Sequence, residues 1–394
     1  MDNNILKSGS DNSTDSHSAM SEIDLIDLVR KRIDDIDLEI IRLLAERQSE
    51  VDRMVSLKKS HNLPVHHPAR EENMISERRS LGLDMGLDPD YLEELFRAVI
   101  RRSRVEQTES ISRKGIRPGA IALIVGGTRG MGRYFYNWFN KSGYETRSMG
   151  TRDWDNIELL CDGIDLALIS VPIESTESVI RKIAPYLPPG CVLADLTSIK
   201  DRPMKAMMES HKGPVVGLHP LFGPTTSSLD KQIIVTTPGR DAGACKWLND
   251  QLSAWGAVVV QSDPKEHDDI MTVVQALRHF ATFVFGRFLS MRNIDLFRSL
   301  EFSSPIYRLE LGMVGRLFAQ DPGLYAEIIF ATPERRELLQ AYATSITESI
   351  AMIEKGDKEE FTREFRRVAE WFGPFSEQAM RESTFLIEKL IERF

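Results

Sequence analysis

IALIVGGTRGMGRYFYNWFNKSGYETRSM, residues 121–149, decides the fold of the middle of this chain. An apolar run leads into a Gly-rich turn, an amphipathic helix and a second β-rich run, which is the order of a dinucleotide-binding unit. The turn amides and the helix N-terminus would then face a pyrophosphate. Gly127 and Gly132 take the outer positions of G-x-G-x-x-G, but Arg129 stands at the middle position, with Gly130 beside it. The candidate nucleotide contacts are Gly126, Gly127, Thr128, Arg129, Gly130, Met131 and Gly132.

The end of the second β-rich run bears on which nucleotide is bound. An acid there accepts a hydrogen bond from the ribose of NAD, whereas an Arg accommodates the 2′-phosphate of NADP. The run ends at Met149, Arg152 follows, and Asp153 comes slightly late. These residues leave NAD and NADP both open, with Arg152 as the candidate contact.

Five more β-rich runs follow, up to about residue 261: DLALISVP, CVLADLTS, PVVGLHP, QIIVTT and AVVVQ. The first is almost continuously apolar, as expected of a parallel strand buried on both faces. Ligands bind beyond the carboxyl ends of such strands, and Ser198 and His219 stand there. His219 can take the proton of a substrate hydroxyl as hydride leaves, because His titrates near neutral pH. A hydrogen-bonded structural histidine is the alternative.

From residue 263 onward the helical period returns. His267, Gln275 and His279 are spaced by eight and four residues and can share one helix face. Two histidines without a third ligand do not make a metal site, so we expect no metal.

Two arginines stand in the apolar helical run SSPIYRLELGMVGRLFAQDP. Buried guanidinium groups pair with carboxylates, so Arg316 is a candidate anion-binding residue. For Arg308 a structural ion pair with Glu310 or another acid is an equal alternative. The stretch from about residue 334 to 394 is predicted to be a helical hairpin and a dimer surface.

Upstream, helical periodicity fills residues 21–107, and one stripe of the first helix mixes apolar residues with cations. The stripe comprises Ile33, Ile36, Ile40, Leu43, Arg47, Val51, Met54 and Lys58. A stripe of this length favours packing against a second copy of the chain. Charges on a buried face are costly unless opposite charges meet them. Arg30, Arg47 and Lys58 therefore indicate an anionic ligand, with snorkelling rim residues as the alternative.

Two further helices complete this segment. The last carries an apolar face that continues through Ser103 and Gln107, and HPARE places Arg70 and Glu71 near the start of a short middle helix. Here the segment resembles the dimeric all-helical chorismate mutase domain. The resemblance implies that Arg47, and Arg30 of the partner chain, hold the carboxylates of chorismate. It also implies that Lys58 and Gln107 bind the breaking ether oxygen and Glu71 the ring hydroxyl, with Arg70 and Ser103 in the same site.

Nearly all of residues 119–394, with the runs GLHPLFGP and QALRHFATF, resembles the prephenate dehydrogenase part of the fused enzymes called T-proteins, and the order mutase first, dehydrogenase second is also theirs. The resemblance implies a prephenate dehydrogenase in which His219 accepts a hydrogen bond from the ring hydroxyl, Ser198 shares that hydroxyl and Arg316 binds a carboxylate. His279 and Gln275 would line the pocket. NAD is then the expected cofactor, and L-tyrosine is a candidate inhibitor acting near these sites. The alternatives are arogenate as substrate, a degenerate mutase half, or a metabolite-binding regulator.

The 394 residues, with a net charge of -9, predict a multidomain protein that binds neither nucleic acid nor membrane. Residues 1–20 are polar and predicted to be a disordered leader. We expect an all-α domain over 21–110, a Rossmann-like α/β domain over 119–262 and an all-α dimerisation domain over 263–394. The three cysteines show no pairing pattern, which favours buried thiols in a reducing compartment, the cytoplasm. We also expect the chain to form a homodimer.

Overall fold

The computed structural model describes residues 22–61, 68–111 and 115–391, and divides the chain into two compact units, residues 1–107 and 108–394. The predicted order of classes is confirmed. Helices come first, strands alternating with helices follow, and helices alone complete the chain. The leader predicted over residues 1–20 lies outside the described residues.

The first unit is helical throughout its described part. Its helices are α1 (Glu22–His61), α2 (Pro68–Asp84) and α3 (Pro89–Ile111). Proline suits the first turn of a helix, where its missing N–H leaves no hydrogen bond unmade. The apolar stripe of α1 is largely solvent-facing within one chain: Ile33, Ile36, Ile40 and Leu43 are between 45% and 55% exposed. An apolar face of this extent indicates a surface that another molecule covers.

The second unit begins with a seven-stranded sheet, and every predicted strand is present. The strands are β1 (Ile121–Val125), β2 (Glu145–Met149), β3 (Leu166–Ile169), β4 (Val192–Asp195), β5 (Val215–Pro220), β6 (Ile233–Pro238) and β7 (Val258–Gln261). Their order in the sheet is β2-β1-β3-β4-β5-β6-β7. All neighbours are parallel except β5 and β6. The next two strands lie on opposite sides of β1, with β2 on one side and β3 on the other. The crevice for a ligand therefore opens between the carboxyl ends of β1 and β3.

Helices cover both faces of this sheet. They are α4 (Gly130–Lys141), α5 (Ile157–Cys161), α6 (Ile173–Ile183), α7 (Asp201–Ser210) and α8 (Ala242–Ala254). One apolar core contains Phe135, Phe139 and Trp255, and the other contains Ile180 and Met207. Strand β3 is buried along its whole length, as the run of apolar residues predicted.

The three cysteines lie inside this unit as unpaired, buried thiols, as predicted. Burial disfavours the thiolate and raises the pKa of Cys161 to about 11. Burial also raises the pKa of Cys191 and Cys245. The cysteines therefore act as small apolar side chains of the core.

The C-terminal helices differ from the sequence prediction in two ways. They are α9 (Pro264–Met271), a π-helical segment (Thr272–Leu277), α10 (Arg278–Met291), α11 (Leu296–Glu301), α12 (Pro305–Phe318), α13 (Pro322–Phe330), α14 (Pro333–Glu354), α15 (Lys358–Phe372) and α16 (Pro374–Ile391). The hairpin predicted from residue 334 is wrong, because Gly356 and Gly373, both with positive φ, divide that stretch into three helices. The single helix predicted around residue 275 is interrupted by the π-helical segment. Among the described residues, no helix has the length and apolarity needed to cross a bilayer.

Candidate active sites

The first unit brings together two of the polar residues that the sequence singled out. Arg47 on α1 donates through Nη1 to Ser103 Oγ on α3 at 2.6 Å. Ser103 is buried, and its hydroxyl donates in turn to Val99 O at 2.9 Å. Burial lowers the pKa of the Arg47 guanidinium, which nevertheless keeps its charge at neutral pH. A half-buried cation is thus held in place beside a hydroxyl.

Glu71, by contrast, is not an open acceptor. Arg104 Nη1 donates to Glu71 Oε2 at 2.5 Å, and both side chains are largely buried. The sequence analysis missed Arg104, although it stands next to Ser103 on the same helix. Arg104 thereby fixes the position of this carboxylate.

The remaining mutase residues are not gathered in one chain. Arg30 is exposed and pairs with Asp27 at 3.3 Å. Seventeen residues separate it from Arg47 on one helix, a distance of about 25 Å along the axis. Arg70 is exposed on α2. The side chains of Lys58 and Gln107 lie outside the described part of the structure.

The Gly-rich turn joins β1 to α4 at the sheet crevice. Gly126 has φ +86°, and a Cβ there would overlap the carbonyl oxygen of Ser170 after β3. A Cβ on Gly132 would overlap the carbonyl oxygen of Gly126. The chain therefore requires glycine at these two positions for the tight turn and for the close approach of α4 to β1.

Other residues of the turn remain open to a ligand. Gly127 is buried, whereas Thr128, Arg129 and Gly130 are exposed and Met131 is half-buried. Arg129 occupies the N-cap of α4 in extended conformation, and its side chain makes no capping bond. The first turn of α4 contains no acid, so its amides and partial positive charge are available to a phosphate.

The residues that follow β2 bear on whether the bound nucleotide is NAD or NADP. Arg152 is exposed, whereas Asp153 is half-buried and accepts a hydrogen bond from Gly150 N at 2.7 Å. The turn thereby holds a carboxylate at the carboxyl end of β2, where ribose-binding acids lie.

We expect Gly132→Ala to weaken both folding and nucleotide binding. The added methyl group must push α4 away from the Gly126 carbonyl, which should lower the free energy of unfolding by about 1–3 kcal/mol. Urea unfolding and titration with NAD measure the two effects. Gly190→Ala is the control, because a Cβ there meets nothing within 4 Å. Equal effects of the two substitutions would contradict the close-packing argument.

His219 lies at the centre of a chain of hydrogen bonds at the end of β5. Its Nδ1 lies 2.8 Å from His267 Nε2, and His267 Nδ1 lies 2.8 Å from Asp268 Oδ1. A carboxylate accepts only, so His267 Nδ1 carries the hydrogen and His267 Nε2 accepts from His219 Nδ1. The lone pair of His219 is then on Nε2. This chain fixes the tautomer of a base, as in catalytic triads.

Asp268 is itself held firmly. Lys200 N and Asp201 N, at the start of α7, donate to its two oxygens at 2.7 and 3.0 Å. Burial acts to raise the pKa of Asp268, but the hydrogen bonds from His267 and these two amides hold it below its usual value. The carboxylate therefore stays ionised and orients His267.

Gln275, in the π-helical segment, contacts the other side of the His219 ring. Its Nε2 lies 3.0 Å from His219 Nε2, so the amide donates to the lone pair that a substrate hydroxyl would use. π-Helical turns often occur at functional sites. Gln275 thus closes the cluster, and a substrate hydroxyl at Nε2 has to share or replace this contact.

His219 and His279 are held neutral by their surroundings. Burial, with added effects of His267, Lys200 and Arg335, lowers the pKa of His219 well below its usual value. Burial, followed by the charges of Arg278 and Arg335, lowers the pKa of His279 to about 4. The His279 ring packs edge-on against Tyr325, with centroids 4.8 Å apart. A neutral imidazole is the form that accepts a proton.

We expect this unit to lose stability as the pH falls below about 6.5. The unfolded chain binds protons at histidine near pH 6.5, whereas His279 in the fold does so only near pH 4. Acid therefore favours the unfolded state across this interval. The urea midpoint should fall less between pH 7 and pH 5 in His279→Asn than in the wild type. An identical fall in both proteins would contradict the assignment of a neutral buried His279.

Two fully buried residues beneath His219 were missed by the sequence analysis. Lys200 Nζ donates to Asp195 Oδ2 and, at 2.8 Å, to Leu218 O, and both charged side chains are 0% exposed. Burial lowers the pKa of Lys200 against the opposing effect of Asp195. The pair ties β4 to β5 one residue before His219. The available signal was the run DLTSIK, in which only Ser198 was selected.

The other sequence candidates make no described hydrogen bond to the His219 ring. Ser198 is half-buried after β4, and the structure describes no hydrogen bond between it and His219. Arg316 is exposed on α12. Arg308 Nη2 donates to Leu300 O at 2.6 Å. Within residues 22–61, 68–111 and 115–391, no group of three or more His, Cys, Asp or Glu side chains is arranged to hold a metal.

Comparisons with known proteins match the chain in three parts. The family model Chorismate mutase type II matches residues 29–108. The model of the prephenate dehydrogenase nucleotide-binding domain matches residues 143–261, and that of the prephenate dehydrogenase dimerization domain matches residues 263–367. A solved prephenate dehydrogenase from A. aeolicus, crystallised with hydroxyphenyl propionate and NAD+, has a TM-score of 0.53 and 20% identity. It covers 64% of this chain and 97% of its own length, and shows a shared fold.

Two curated relatives extend over nearly the whole chain. The T-protein of Enterobacter agglomerans is 41% identical over 359 residues, which are 91% of this chain and 96% of the relative. The T-protein of Haemophilus influenzae is 38% identical over 371 residues, 94% of this chain and 98% of the relative. With a mutase unit and both dehydrogenase domains in the same order, this chain belongs to the T-protein family of bifunctional chorismate mutase/prephenate dehydrogenases.

Proposed function

We propose that the first unit rearranges chorismate to prephenate and that the second oxidises prephenate to 4-hydroxyphenylpyruvate and carbon dioxide, with NAD as hydride acceptor. The observation that carries the proposal is the Asp268–His267–His219 chain, which leaves a proton acceptor at the carboxyl end of a dinucleotide-binding sheet. Asp153 at the end of β2 supports NAD over NADP.

The mutase reaction needs no nucleophile. The substrate must be folded, and the negative charge that develops on the ether oxygen must be stabilised. Arg47, braced by Ser103, binds one carboxylate, and Arg30 of a second copy binds the other. Lys58 and Gln107 donate to the ether oxygen, while Arg70 and Glu71 complete the site.

In the dehydrogenase reaction, His219 Nε2 takes the proton of the ring hydroxyl while the hydride leaves the carbon that bears it. Loss of the ring carboxylate as carbon dioxide then supplies the electrons that make the ring aromatic, and the proton returns from His219 to the phenolate oxygen. NAD, when bound, accepts the hydride. Ser198 shares the hydroxyl, Gln275 and His279 line the pocket, and Arg316 binds a carboxylate.

The chain acts as a homodimer in this proposal. The exposed stripe of α1 and the exposed Phe297, Phe302 and Trp371 of the C-terminal helices are surfaces that a second copy can cover. In the same proposal L-tyrosine, which keeps the hydroxyphenyl ring and a carboxylate, binds the dehydrogenase pocket and thus acts as an inhibitor. The three unpaired cysteines suit a reducing compartment such as the cytoplasm.

A coupled assay tests the proposal. Purified protein receives chorismate with NAD or with NADP, and chorismate loss and nucleotide reduction are followed together. We expect chorismate loss with reduction of NAD. Loss without reduction would leave the mutase alone and direct the assay to arogenate. No loss, in a protein that oxidises added prephenate, would contradict the mutase assignment.

A further inference from the structure

Arg335, in the first turn of α14, is a buried cation that the proposed reaction has not yet used. Its side chain is 0% exposed. One nitrogen, Nη1, donates to Ile328 O on α13. Nε and Nη2 are closed to solvent and have no hydrogen-bond partner among the described residues. Two donors of a charged group therefore remain unmatched in a closed environment.

Such an arrangement is costly unless an anion completes it. A buried charge without a partner strongly destabilises the fold. Burial lowers the pKa of Arg335, but guanidinium stays charged at neutral pH. Asp268 is the acid whose charge acts on it, and that carboxylate is already engaged by His267 and two backbone amides. Among the residues that the structure describes, no carboxylate pairs directly with Arg335.

Arg335 also belongs to the dehydrogenase cluster by position. Helix α14 packs on the π-helical segment that carries Gln275, and α13, which accepts its one hydrogen bond, carries Tyr325 against His279. Its charge acts on both His219 and His279. Arg335 therefore lies near enough to the proton acceptor for its charge to act on it.

We propose that Arg335 binds a carboxylate of the dehydrogenase ligand through Nε and Nη2. The fork of two adjacent N–H groups matches the two oxygens of a carboxylate. This assignment rests on the proposed oxidation of prephenate, which carries one carboxylate on the ring and one on the side chain. The product, 4-hydroxyphenylpyruvate, keeps only the side-chain carboxylate.

The test compares Arg335→Met, Arg335→Lys and the neighbouring Arg336→Met in the full-length protein. Arg336 is exposed, so its substitution controls for loss of one positive charge. We expect Arg335→Met to raise the KM for prephenate by about thirtyfold or more, with a smaller change in Arg335→Lys and none in Arg336→Met. The KM for NAD and the mutase rate should not change.

A second measurement separates ligand binding from a structural role. Removal of an unpaired buried charge should leave the thermal unfolding midpoint of the ligand-free protein unchanged or raised. Loss of the thermal shift with 4-hydroxyphenylpyruvate would assign Arg335 to the side-chain carboxylate. An unchanged shift with a raised KM for prephenate would assign it to the ring carboxylate. A lowered midpoint with an unchanged KM would overturn the proposal, whereas failure of the wild type to oxidise prephenate would overturn the proposed function instead.

Discussion

His219→Asn should reduce prephenate oxidation by about 10³-fold, since a lost general base typically costs ~10²–10⁴ in rate. Asparagine preserves much of the shape and can still hydrogen-bond to His267, but it cannot take a proton at neutral pH. We therefore expect kcat to fall far more than the KM for prephenate rises. NAD reduction with added prephenate, measured at several pH values, gives both parameters.

The same variant provides its own control. Mutase activity on chorismate should remain at the wild-type level, because the first unit forms its own compact body. Binding of NAD should also persist, since the Gly-rich turn is untouched. A well-folded His219→Asn protein that still oxidises prephenate at more than a tenth of the wild-type rate would refute the role of His219 as proton acceptor.

Arg47→Ala should have the opposite selectivity and abolish measurable mutase activity. A preorganised donor to a negative charge is worth about 10²–10³ in rate. Arg47 is such a donor, because its hydrogen bond to Ser103 holds the guanidinium in place. Oxidation of added prephenate should be largely spared. Chorismate loss and NAD reduction, followed separately, check the two halves.

Arg42→Ala is the matched control for this substitution. Arg42 lies on the same helix but is exposed, and it pairs with Glu39 one turn away at 3.3 Å. Exposed pairs of this kind contribute little to stability. Loss of mutase activity in Arg42→Ala would contradict the specific role of Arg47, whereas loss of both activities in a folded Arg47→Ala protein would show that the two sites are not separate.

The sequence predicted what local patterns determine. The strands, the Gly-rich turn and the order of the domains follow from short-range periodicity and from glycine positions such as Gly126 and Gly132, where a side chain cannot fit. The sequence singled out both Arg47 and Ser103 as site residues, but it did not predict the hydrogen bond between them. The catalytic roles of these residues stay predictions.

What the sequence could not provide depends on tertiary burial. Arg335 and Arg336 are identical neighbours in TPERRELL, and only packing makes one of them 0% exposed. Lys200 and Asp195 are likewise ordinary charged residues until two strands enclose them. The antiparallel direction of β6 and the division of the last 60 residues into three helices also depend on how distant elements meet.

The π-helical segment has a consequence for rotation about the helix axis. In a regular α-helix, eight residues advance the side chain about 80° beyond two full turns. Four of the eight steps from His267 to Gln275 follow the wider π turn, at roughly 82° each, so the offset shrinks to about 10°. Both side chains then point the same way and reach opposite nitrogens of one imidazole. The widened turn therefore acts as a phase correction: with regular α-helical steps throughout, Gln275 would be rotated by about 80° relative to His267.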